Sequence, residues 1–144
     1  MCMSDRNRLC GMVGRCIFLP LLLLLSACWG GKKESPADEA KAVLVEALSA
    51  LQVGNVDGYV QHVDFGGDMD SLQHSVLSAL LRQHLDQRTQ QRGALTGIEA
   101  LDGKMRGDTV CTVFYQLTFA DSTVEVASQK MVKVGSVWKI RVRN

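Results

Sequence analysis

The sequence predicts an α+β domain in which N-terminal helices pack in the curve of a four-stranded antiparallel meander. Apolar residues recur at helical spacing from Ala40 to Leu51 and again in the segment that ends at Arg92, whereas from Ala94 onward they alternate. The helical segments all precede the alternating ones, an order that suits helices laid on an antiparallel sheet and not a repeating strand–helix–strand fold. Glycines punctuate the changeovers at Gly54, Gly93 and Gly135.

The chain in front of that domain reads as an address. Arg6, Arg8 and Arg15 precede an apolar run that ends at Leu25. That run is about ten residues long, against roughly 20 needed to cross a bilayer core. It has no polar face, which argues against a buried core helix, and Pro20 would weaken a permanent spanning helix. The reading is the same whether translation starts at Met1, Met3 or Met12.

Leu25-Ser26-Ala27-Cys28 closes this run. It resembles the lipobox of bacterial lipoproteins, an aliphatic residue and two small ones before a cysteine. The resemblance implies that the Cys28 thiol receives a diacylglycerol, that the chain is cut just before it, and that the new amino group is acylated with a chain such as palmitate. The expected organisation is a signal peptide over 1–27, a lipid-anchored tether over 28–34 and a single α+β domain over 35–144. Buried acyl chains contribute about 0.8 kcal/mol per methylene, so two or three chains hold where one is marginal. Trp29 suits the headgroup level. The expected location is the bacterial cell envelope, the outer membrane ahead of the inner, facing the periplasm or the surface; by resemblance to proteobacterial lipoprotein sorting, Trp29 in place of Asp after Cys28 permits the outer membrane.

Composition narrows the partners. Residues 1–27 take three arginines and Asp5 with them, so the net charge of +1 becomes −1, and nothing points to nucleic acid. Cys2, Cys10 and Cys16 leave with the signal and Cys28 carries lipid. Only Cys111 remains, so no intramolecular disulfide is expected and the exported domain stands on its hydrophobic core.

Ser35 reads as an N-cap with Pro36 at the first helical position and Asp38 three residues after the cap. Ala40, Val43, Leu44, Ala47, Leu48 and Leu51 then form one apolar face up to Gly54. A short helix follows from Asn55, carrying Tyr59, Val60 and Val63, and Asp64 to Asp68 is a loop by composition. A long helix is expected from about Met69 to Arg92, with Leu72, Val76, Leu80 and Leu81 as its apolar stripe and a polar tail from Asp86 projecting past the core or over a sheet edge. The strands are Ala94 to Leu101, Val110 to Ala120, Thr123 to Val134 and a last one after Gly135-Ser136. The first turn falls at Asp102-Gly103 or at Arg106-Gly107-Asp108. Cys111, Val113, Tyr115, Leu117 and Phe119 share one face of the second strand. Trp138, Ile140 and Val142 are expected inside on the last strand, with Lys139, Arg141 and Arg143 outside.

Val43 to Gly54, Asn55 to Tyr59, Gly107-Asp108-Thr109-Val110 and Val134-Gly135-Ser136-Val137-Trp138-Lys139-Ile140 together resemble the nuclear-transport-factor-2-like superfamily, a cystatin-like, cone-shaped group that includes small bacterial lipoproteins. The resemblance implies a curved sheet around the helices and a cavity at the open end of the cone. Members use it for catalysis, as in ketosteroid isomerases and small dehydratases, or for ligands, or they dimerise through the sheet. No catalytic pairing of that superfamily matches this chain.

The candidates for chemistry are few. His62 and Asp64 flank Val63, and a histidine beside a carboxylate can act as a general base, with Tyr59 as a hydroxyl donor. His74 and His84 stand ten apart, outside the i, i+4 pairing of a helical metal site, so no metal and no cofactor is expected. Cys111 on an apolar strand face reads as an inert thiol. Lys139, Arg141 and Arg143 form a basic row that either protects a sheet edge or meets anionic headgroups or an acidic partner. The function expected is a lipid-anchored, non-enzymatic binding or assembly module whose partner is an envelope protein or a small ligand. The alternatives are a small cavity enzyme of isomerase or dehydratase type and a carrier of an apolar ligand, which requires an open apolar cavity.

Overall fold

The computed structural model describes residues 33–142; Cys28 and the rest of the leader, and Arg143, lie outside them. The domain begins with a reciprocal cap. The Ser35 hydroxyl accepts from the Asp38 backbone N–H, and the Asp38 carboxylate accepts from the Ser35 backbone N–H. Helix α1 (Pro36–Gln52) runs from this cap and buries Ala40, Leu44, Ala47 and Leu48. Asn55 caps the short helix α2 (Val56–Val60), which buries Val56 and Val60.

The sheet is five-stranded and mixed, not a four-stranded antiparallel meander. Its strands are β1 (Val63–Asp64), β2 (Leu95–Arg106), β3 (Val110–Phe119), β4 (Val124–Val134) and β5 (Val137–Arg141), in the order β1-β5-β4-β3-β2. The four long strands form the expected meander. Val63 and Asp64 add to its edge in parallel, opposite Ile140 and Arg141. Composition hid this strand, because a two-residue strand shows no alternation and its second residue is the aspartate that opens a polar, glycine-rich loop.

Two boundaries moved for local reasons. Strand β2 passes through Asp102-Gly103 to Arg106, with register shifts between Leu95 and Gly97 and between Ala100 and Asp102. The chain reverses at Gly107, whose φ of +66° only glycine adopts without strain. Val142, expected inside, is 65% exposed, because β5 ends at Arg141, where the Gln129 side chain caps its last carbonyl and β1 also stops.

The core forms where α1 lies on the inner face of the sheet. Leu44, Ala40 and Ala47 meet Cys111, Val113, Leu117, Phe119, Met131, Trp138 and Ile140 in one cluster. Trp138 is almost fully buried, and its indole N–H donates to Glu39 of α1 at 3.3 Å.

Helix α3 (Ser71–Arg92) departs most from expectation. Its cap is Asp70, in a capping box with Gln73. Three residues of the predicted stripe face solvent, with Leu72, Val76 and Leu80 at 71%, 52% and 58% exposure. The fourth, Leu81, is half-buried together with Leu77 and Leu85, and Ser78 is buried among them. The two stripes have the same i, i+4, i+8 spacing, so periodicity alone cannot choose between them. The choice follows from Ser78 and from Arg88 and Arg92, which lie on the same side as the second stripe and have partners on α2 and β4.

Substitutions should separate the two faces. Leu44→Ala should lower the unfolding free energy by about 2–5 kcal/mol, while Leu80→Gln should change it by no more than about 0.5 kcal/mol. Urea denaturation of each variant measures both.

Candidate functional site

A cavity of about 500 Å³ lies between the C-terminal half of α3, the end of α1 and the inner face of the sheet. Leu48, Leu51, Leu85, Leu95, Leu117 and Phe119 supply its apolar walls, and Tyr115 contributes a phenol. These residues meet because α1 ends and β2 begins at the same end of the sheet, where the Gln52 side chain donates to the Leu95 carbonyl at 3.1 Å. Gly93, after α3, also lines the cavity. A Cβ there would stand 2.8 Å from the Ala120 Cβ, at a φ of +80°, so the helix can approach the sheet this closely only with glycine at the junction.

Polar contacts hold α3 in place. Asp57 of α2 accepts from the Ser78 hydroxyl at 3.1 Å and pairs with Arg82 at 3.3 Å. At the other end Glu125 of β4 receives both Arg88 and Arg92, the latter at 2.9 Å. Both guanidiniums also stand 5.4 Å from the Phe119 ring centroid. The polar tail of the helix therefore folds over the sheet and does not project past it. The adjacent Arg88 and then Arg92 charges and hydrogen bonds hold the Glu125 carboxyl below its usual value. The cavity's arginines, Arg82 and Arg88, are thus engaged with Asp57 and Glu125, and burial pushes the Tyr115 phenol up, so it stays protonated near neutral pH.

The residues singled out from sequence go to separate partners. Tyr59 packs against the core, and burial pushes its phenol up. Asp64 pairs with Arg141 at 2.7 Å and accepts from the Gly66 N–H. His62 lies 4.0 Å from Glu46 of α1, and its carbonyl accepts from the Ile140 N–H. A second, shallower pocket of about 360 Å³ includes Asp64, His74 and Lys139 but neither His62 nor Tyr59. The basic row of the last strand is also engaged: the Lys139 ammonium donates to the Gln61 carbonyl at 2.6 Å, and Arg141 holds Asp64. Cys111 is fully buried and burial pushes its thiol up, as an inert core thiol requires. Among the described residues no group of three His, Cys, Asp or Glu is placed to hold a metal ion, and no helix is long and apolar enough to cross a membrane.

The cavity walls were missed as a set. The wall residues of α1 and β3 lay on expected apolar faces, but Leu85 of α3 was outside the stripe chosen for that helix. The pairing of Arg88 and Arg92 with Glu125, across more than thirty residues, leaves no local signal.

No protein-family model matches the chain, and no curated protein matches it in sequence. Among solved structures it is similar to a protein from Campylobacter jejuni assigned as an NTF2-like transpeptidase, with a TM-score of 0.56 and 12% identity over 76% of this chain and 100% of that one. A likeness at this identity shows the fold, which is NTF2-like.

The Glu125 pair carries a pH signature. A carboxyl whose folded pKa is depressed contributes stability that is fully present above its unfolded value near 4.5 and is lost as pH falls through the lower folded value. Thermal unfolding from pH 6 to pH 3 should therefore show a smaller acid loss in Glu125→Gln than in the parent chain.

Proposed function

We propose that the chain is a lipid-anchored protein of the bacterial cell envelope whose domain binds a small apolar molecule in the cavity between α3 and the sheet. The cavity carries this reading. Its volume of about 500 Å³ lies within the range of small-molecule sites, and leucine and phenylalanine make up most of its apolar walls. Of its charged lining residues, Arg82 and Arg88 are held by Asp57 and Glu125 and Asp86 is the third, so burial of apolar surface is the main source of affinity. Tyr115 offers one hydroxyl to orient a ligand.

The anchor rests on Leu25-Ser26-Ala27-Cys28 and the basic, short apolar leader before it. The engaged positions of His62, Asp64 and Tyr59 favour binding over acid–base chemistry at those residues, since general acid–base catalysis needs its groups within reach of one substrate. A fold shared with enzymes does not by itself carry their chemistry.

An apolar fluorescent probe such as N-phenyl-1-naphthylamine tests the cavity. Leu85→Trp fills it from the α3 side and should weaken probe binding at least about tenfold, a loss of about 1.4 kcal/mol. Leu80→Trp, on the solvent face of the same helix, should leave the affinity unchanged. Equal effects of the two substitutions would contradict the proposal. Mass spectrometry of the mature N-terminus should find an acylated Cys28, and an unmodified terminus, or one elsewhere, would contradict the anchor.

A further inference from the structure

The outer face of the sheet is divided by charge. Cys111 and Val113 point inward to α1, so their neighbours Val110 and Thr112 point outward. Strand register places Lys104 and Lys130 on either side of Thr112. The next row reads Arg106, Val110, Val132 and Lys139 across four strands. Four cations from three strands thus share the half of the outer face nearest the Gly107 and Gly135 turns. The Lys104 ammonium stands 5.2 Å from the Phe114 ring centroid, and Lys104 and Arg106 are exposed. The carboxylates nearby are fewer or displaced: Asp64 is held by Arg141, Asp108 sits in the turn, and Asp102 and Glu99 lie further along β2. The other half of this face carries Val124 and Val126 and no cation.

The chain enters the domain at the basic end. Ala37 of α1 lies against Gly103, and Glu39 reaches Lys133 and Trp138, which pair across β4 and β5 beside the second row. The segment before Ser35 adds Lys32 and Lys33. The seven residues from Cys28 to Ser35 reach at most about 25 Å. The 17 residues of α1, at about 1.5 Å each, carry the cavity a similar distance to the opposite end.

We infer that the basic half of the outer sheet face, through Lys104, Arg106 and Lys130, docks on the anionic lipid headgroups of the membrane that holds the anchor, with Lys139 adding charge beside them from its place on the Gln61 carbonyl. The inference rests on the lipid-anchor reading. A tether of this length lets the patch reach the surface potential, which decays over about 10 Å at 0.1 M salt, and holds it at high local concentration there. Docking there places the cavity at the far end of α1 from the chain's entry point. It also gives Lys104, Arg106 and Lys130, three cations without intramolecular ion pairs among the described residues, a shared partner.

The test uses the full lipoprotein in vesicles of phosphatidylcholine alone or with phosphatidylglycerol. Labelling by an amine-reactive ester, read by mass spectrometry, reports each lysine, with Lys133 on the inner face as reference. Lys104 and Lys130 should react about fivefold more slowly on the anionic vesicles, near the effect of one basic side chain at such a surface. Arg106→Glu should reduce the slowing, and 1 M salt should remove it from the parent chain. Equal rates on both vesicles, or slowing that survives salt, would overturn the docking. Flotation with the neutral vesicles reads the anchor separately. Flotation with anionic vesicles alone would support the patch and defeat the anchor, and flotation with neither would overturn both.

Discussion

The structure depends on the seating of one helix face on one sheet face. Leu44, Ala40 and Ala47 of α1 press on Cys111, Val113, Met131 and Ile140, all nearly or fully excluded from water. Fully burying a leucine contributes about 1.5–3 kcal/mol, and Cys111, the one cysteine among the described residues, is a free thiol in this core. The small residues matter as much as the large ones. Alanine at positions 40 and 47 lets the helix lie close to the strands, and a Cβ at Gly103 would stand 3.2 Å from the Ala37 Cβ, so a side chain there would push the helix start outward by a few tenths of an ångström.

Helix α3 is held differently. Its inward leucines are only half-buried, and its firm contacts are polar, with Asp57 at one point and Glu125 at another. Partly exposed ion pairs of this kind are each worth at most about 1 kcal/mol. The helix therefore closes the domain without filling it, and the space between it and the sheet is the cavity. Tight packing under α1 and loose packing under α3 are two consequences of one sequence choice: leucine and alanine where α1 meets the strands, serine and arginine where α3 does.

Much of this was legible in the residues. The cap at Ser35, the alternation through β3 and the Gly135-Ser136 reversal all belong to short-range patterns, and they place α1, β3 and β4 within a residue or two, whereas β2 runs five residues past its expected end. What was not legible depends on distant partners. Val63–Asp64 becomes a strand only because β5 offers an unpaired edge. Leu72, Val76 and Leu80 look as buried as Leu77, Leu81 and Leu85 until Ser78 finds Asp57. Lys139 and Arg141 read as a solvated basic row until Gln61 and Asp64 are brought beside them, and His62, Asp64 and Tyr59 read as one site until their partners separate them.

The central claim is that the space under α3 is a binding site and not loose packing. Native mass spectrometry of the protein isolated gently from the cells that produce it addresses this directly. The account predicts a species heavier than the mature chain by one small apolar molecule, released when Glu125 and the arginines of α3 are separated by acid and salt. A single species at the mass of the mature chain, unchanged after exposure to a mixture of apolar metabolites, would contradict it.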